Sequence, residues 1–210
     1  MTPPNVDVRQ RSDGKQFLSG LFLQSIYTPT PPWEFALAGR VDLWTNYDGT
    51  LTNEPAGGAA ATTSFPSRTE ARFNPRLSIL YRLEEWLHLR AAAYRGFRAP
   101  NLAELYRQSE VEDLVLRPNP NLGPERLNGA EAGVDLPVLA NLDLRATGFW
   151  NEIKDPVTNV DVKNGPRDPV TGAALERQRT NLGLARTIGA EVEALYEFLP
   201  GAQLYGSYLF

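Results

Sequence analysis

The sequence predicts an all-β protein, an antiparallel sheet of about nine long strands of the transmembrane β-barrel kind. Three observations predict it. Apolar and polar residues alternate over runs of about 10 to 14 residues, longer than the roughly 5 to 6 usual in globular strands and matched to a tilted membrane crossing. The polar half of each run is heavily charged. Short turns and long connections also alternate along the chain, the rhythm of a barrel with tight turns at one end and long loops at the other.

The elements follow in order. Residues 16–28 carry Phe17, Leu21, Leu23 and Tyr27 on one parity and Leu18, Phe22 and Ile26 on the other, so this strand is left without assigned faces. From Trp33 to Tyr47 the odd positions include Phe35, Leu37, Val41 and Leu43, and the even ones Glu34, Arg40, Asp42 and Asn46. Successive side chains of a strand point to opposite faces, so one face is apolar and one polar. Between Arg68 and Leu83, Phe73, Leu77, Ile79 and Tyr81 oppose Glu70, Arg72, Asn74, Arg76 and Arg82, a set that no soluble core accepts. Later runs reverse the parity: Ala130, Val134 and Leu136 oppose Glu131 and Asp135; Leu144, Ala146 and Trp150 oppose Asp143, Arg145 and Asn151; Ile188, Val192 and Tyr196 oppose Glu191, Glu193 and Glu197. Turns are expected near 29–32, 83–85, 137–141 and 199–203, and long irregular connections at 48–67, 99–125 and 155–178.

Composition narrows the chemistry. The chain has 210 residues and a net charge of -4, which disfavours nucleic acid as a partner because phosphate binding needs a concentrated basic surface. Without cysteine there is neither a disulfide framework nor a thiolate metal site. The single histidine, His88, alternates with Trp86 and Arg90 on a polar strand face and reads as a solvated or hydrogen-bonded residue. No acid-base or nucleophile set assembles, so an enzyme is not expected, and neither is a cofactor or a metal site. Glu110, Glu112 and Asp113 match no calcium loop, and Gly57-Gly58 lacks the Lys-Ser/Thr that follows a phosphate cradle. The segment MTPPNVDVRQRSDG shows no secretory signal.

One junction stands out. In YRGFRAPNLAELYRQ, Tyr94 to Gln108, a strand-like run meets Ala99-Pro100, which cannot continue a ladder. Asn101 to Glu104 then has the spacing of a helix N-cap with an acid at N3. YRGFRAPNLAELY resembles the GFRAP-x-L-x-E-L-Y segment of TonB-dependent outer-membrane receptors. NPNLGPE at Asn119–Glu125 resembles the family's NPNLxPE loop end, and LNGAEAGVD at Leu127–Asp135 its next strand. ATGFWNEIKDPV and NLGLARTIGAEVEA, the latter spanning Asn181–Ala194, continue the series in family order.

The resemblance implies a barrel of about 22 strands closed around a plug domain. It further implies a Gram-negative outer-membrane location, contact with lipid and lipopolysaccharide, and uptake of a ferric siderophore, vitamin B12 or a similar scarce nutrient, driven by the TonB system through a TonB box. Residues 1–210 are expected to be part of such a barrel domain with the plug domain absent, since about 22 strands of roughly 10 residues exceed this length. A chain of this extent is not expected to transport by itself. Glu131 and Glu191 lie on the polar, lumen-facing parity, and in the family the glutamates at these motif positions face plug arginines. Substrate contact is expected in the long loops, where Tyr106, Arg107, Arg117 and Arg167 are available, but no ligand residue is singled out. The alternative is a soluble β-rich binding or scaffold domain.

Overall fold

The computed structural model describes residues 8–210; the stretch 1–7, the start of the segment read for a signal peptide, lies outside the described residues. In chain order the elements are β1 (Val8–Thr30), β2 (Trp33–Pro55), β3 (Ala61–Phe65), β4 (Arg68–Glu84) and β5 (Leu87–Arg98). There follow α1 (Leu102–Tyr106), β6 (Ser109–Val111), β7 (Leu114–Arg117), β8 (Glu125–Leu139) and β9 (Leu142–Lys154). The last are β10 (Val157–Asp161), β11 (Glu176–Asn181), β12 (Leu184–Leu199) and β13 (Ala202–Leu209).

The main sheet has nine strands in the order β1-β2-β4-β5-β8-β9-β12-β13, with β3 added beside the upper part of β2. Every pairing in it is antiparallel. Sequence neighbours are spatial neighbours wherever a tight turn joins them, as at Pro31-Pro32 and Pro200-Gly201. β1 and β13 are the two edges and do not pair with each other, so the sheet is an open section of barrel wall.

Register settles the faces. Trp33, Phe35, Leu37 and Val41 of β2 stand opposite Tyr81, Ile79, Leu77 and Phe73 of β4, which builds one continuous apolar face. Phe17, Leu21, Leu23 and Tyr27 of β1 join it through their pairing with Thr45, Val41, Gly39 and Phe35. Leu18, Phe22 and Ile26 therefore lie on the polar face, an assignment that periodicity within β1 left open.

The usual arrangement of a soluble protein is inverted in β2. On its apolar side Leu37 and Val41 are 60% and 51% exposed, while on its polar side Asp42, Trp44 and Asn46 are 2%, 0% and 2% exposed. Apolar area costs about 25 cal/mol per Å² in water, so an apolar face left bare across a whole sheet requires an apolar surrounding. Among the described residues no helix is long and apolar enough to cross a membrane, and the strands carry the apolar surface.

Three connections differ from expectation. Residues 48–67 are largely a strand hairpin, because β2 continues to Pro55 and pairs with both β1 and β3. The connections 99–124 and 155–183 are not irregular either: they contribute β6, β7, β10 and β11 to a second, four-stranded sheet. In it β7 and β11 run parallel, joining two loops about sixty residues apart in the chain.

Candidate functional site

The polar face is a field of ion pairs, some along one strand and some across neighbouring strands. Asp42 accepts from Arg40 Nε at 2.7 Å and from Asn74 Nδ2 at 2.8 Å, which satisfies a buried carboxylate from two sides. Glu70 pairs with both Arg68 and Arg72. Arg82 reaches Glu34 at 2.9 Å, and Asp135 accepts from Arg90 at 2.8 Å and Arg145 at 2.9 Å. Arg145 also approaches Glu193 at 3.7 Å. Each charge is partly shielded from water, so pairing along and across the strands offsets the cost of removing it. His88 belongs to this face, directly opposite Asp135 and Arg82.

Glu131 and Glu191 both lie on the polar face, as their parity predicts. Glu131 stands opposite Phe149 and Glu191 opposite Thr147, one pair further along β9. From strand spacing they are about 12 Å apart. Glu131 lies 3.5 Å from Arg76 on β4. Glu191 makes no ion pair among the described residues.

The upper part of the polar face carries a structure that periodicity did not reveal. After β5, Pro100 ends the ladder and α1 folds back over the face. Asn101 caps α1: its side chain accepts from Glu104 N at 2.8 Å, while Glu104 Oε2 accepts from Asn101 N at 2.8 Å. Leu105 and Tyr106 then bury against Trp44 together with Leu122, forming the one buried apolar cluster among the described residues. Tyr106 stacks on Phe65 with ring centres 5.3 Å apart and lies against the β1–β2 backbone at Gly14 and Gly49. A Cβ on Gly49 would fall 2.6 Å from Tyr106 Cζ. Burial pushes the Tyr106 phenol above its ordinary pKa and removes it from the loop residues available to a ligand. A tryptophan at even parity between Asp42 and Asn46 was the available signal: an aromatic on a charged face implies something apolar to cover it.

Arg98 ties this cap together. Its guanidinium binds Glu125 at 2.6 Å and Glu104 at 3.0 Å, joining the end of β5, the first turn of α1 and the start of β8. Glu125 Oε1 also accepts from Val157 N at 2.7 Å, which reaches the second long loop. The Arg98 hydrogen bond holds the Glu125 carboxyl below the usual range; burial opposes it, and the Val157 amide reinforces it. Asn181 completes the join, donating to Gly123 O at 3.0 Å and Asp155 O at 2.8 Å and accepting from Gly123 N at 2.7 Å. Arg117 is held by Glu176 at 2.7 Å, and Arg167 donates to Gly172 O at 3.0 Å.

A bare apolar face, a charged inner face and a capped loop folded over one end are the parts of a barrel wall with its lumen and extracellular rim. The family model described as TonB dependent receptor-like, beta-barrel matches residues 2–210. The chain belongs to this family. Solved structures agree on the fold. The ferric-catecholate import receptor Fiu from E. coli K12 is 18% identical with a TM-score of 0.66, and the match covers 94% of this chain and 28% of that one. The copper transporter OprC is 18% identical with a TM-score of 0.64, over 93% of this chain and 29% of that one. The FrpB iron transporter from Neisseria meningitidis, F3-3 variant, is 15% identical with a TM-score of 0.57, over 95% and 27%. The chain thus spans between a quarter and a third of the length of these receptors. A search of curated protein sequences returned no match.

Proposed function

We propose that this chain is a section of the barrel of an outer-membrane receptor that imports a scarce nutrient of the ferric siderophore or vitamin B12 kind, with TonB as its energy partner. The observation that carries the reading is the inverted sheet, whose apolar face is bare while Asp42, Trp44 and Asn46 on its polar face are buried. A lipid bilayer covers the first, and the lumen with its plug domain covers the second. Among substrates a metal chelate is favoured, because Fiu, OprC and FrpB are a ferric-catecholate receptor, a copper transporter and an iron transporter. Residues 1–210 act as a partial barrel domain, with the plug supplied from outside this stretch.

Glu131 and Glu191 serve as plug-facing lumen charges in this reading. Glu131 exchanges Arg76 for, or shares it with, a plug cation, while Glu191 has no competing pair among the described residues. Replacing both with glutamine in the complete receptor lowers the force or denaturant needed to release the plug; unchanged release removes the role. Uptake of radiolabelled ferric siderophore that depends on both the gene and TonB tests the transport reading. A monomeric, cooperatively folded chain in detergent-free buffer overturns it in favour of a soluble domain.

A further inference from the structure

Arg76 and Glu131 meet on the polar face although β5 lies between their strands. Arg76 stands opposite Tyr94, whereas Glu131 stands opposite Ala92, two residues nearer the β4–β5 turn. Ala92 ends at Cβ, which leaves the path over β5 open. Tyr94 is pinned beside it at two points. Its hydroxyl donates to Asn151 Oδ1 at 3.1 Å, and its ring covers Gly129, where a Cβ would fall 2.3 Å from Tyr94 Cε2. The ring face receives the Arg76 guanidinium, with Cζ 5.5 Å from the ring centre.

This ion pair is looser than its neighbours. Arg82, Arg90 and Arg145 meet Glu34 and Asp135 at 2.9 Å or less, whereas Arg76 stays 3.5 Å from Glu131. Its side chain is 54% exposed, and its Nε donates to Ser78 Oγ at 3.2 Å. Both groups border a cavity of about 280 Å³ on the polar face, floored by Ala36, Ser78 and Ala92, so a second cation has room to approach Glu131. Glu191, opposite Thr147 on β9, has no ion pair among the described residues.

We propose that Arg76 is a resident counter-ion that competes with the plug for Glu131. It yields the carboxylate to a plug cation while keeping its seat on Tyr94 and Ser78, and reclaims it when the plug leaves. A guanidinium over an aromatic face stays attracted to the ring without the carboxylate. Removing one partner of a shielded ion pair is costly because the other charge is left uncompensated. Arg76 lowers that cost at Glu131, so the contact there opens readily, while a contact at Glu191 has no replacement and holds longer. Arg76 therefore weakens plug retention, although it sits beside a residue that strengthens it. The proposal rests on the reading of Glu131 as a plug-facing charge.

The experiment holds the complete receptor, folded in detergent, at a fixed urea concentration and follows release of the plug by its sensitivity to protease, with the barrel checked by circular dichroism. E131Q is expected to release the plug faster than the unsubstituted receptor, and R76Q about tenfold more slowly. R76K keeps the charge and is expected to release at the unsubstituted rate. In the E131Q background R76Q is expected to change nothing, since the competitor has lost its target. A slowing that persists in E131Q, or one that R76K shows equally, overturns the proposal. If E131Q is faster and R76Q is not slower, the competitor alone fails. If E131Q releases like the unsubstituted receptor, the plug-facing reading fails and the proposal with it.

Discussion

Leu105→Ala tests whether the two long loops form one unit anchored on Trp44. Leu105 is 1% exposed and shares its cluster with Trp44, Tyr106 and Leu122, so truncation removes a fully buried side chain from a small cluster with little means of collapsing around the gap. Such truncations cost about 2 to 5 kcal/mol, and a middle value of about 3 kcal/mol corresponds to roughly a hundredfold faster opening. The consequence should spread beyond α1. Asn181 bonds to both Gly123 and Asp155, and β7 pairs with β11, so undocking residues 99–124 also loosens residues 155–183. Hydrogen exchange followed by mass spectrometry on the membrane-embedded protein reads this directly. Amides of residues 101–124 and of β11 should lose protection together by about two orders of magnitude, with β9 and β12 unchanged. Loss confined to α1, or no loss, refutes the single-unit argument.

Two further outcomes follow from the same geometry. Gly49→Ala places a Cβ 2.6 Å from Tyr106 Cζ, so it should destabilise the docked cap by about 1 to 3 kcal/mol, seen as faster proteolysis within 99–124; an unchanged cleavage rate contradicts the packing. Acid should release the cap only at low pH. The Glu125 pKa is depressed on folding, so its contribution is complete above the ordinary value of 4.5 and is lost as pH falls through the lower folded value. Loop protection should therefore hold from pH 7 to about 4.5 and fall below it, whereas E125Q should be loose throughout. Loss between pH 7 and 5 would assign the transition to another group.

Period-two alternation made the apolar and polar faces of β2, β4, β8, β9 and β12 legible, because a strand's side-chain direction is fixed by parity alone. Turn chemistry likewise located the short connections, and the spacing from Asn101 to Glu104 announced a capped turn that the structure contains. These are properties of neighbouring residues, and a chain carries them wherever it folds.

Long-range pairing decided the rest. The faces of β1 were undecidable from within the strand and follow only from its register with β2. Nothing near Trp44 in sequence indicates that Leu105, Tyr106 and Leu122 cover it, or that Glu131 meets Arg76 across β5. That β4 and β5 part beyond the Arg76–Tyr94 pair is likewise visible only in the register. By itself the sequence determined which face of each regular strand is apolar and which is polar. Only the tertiary structure decided which side chains meet there, since a contact between distant residues depends on the register and docking of every strand between them.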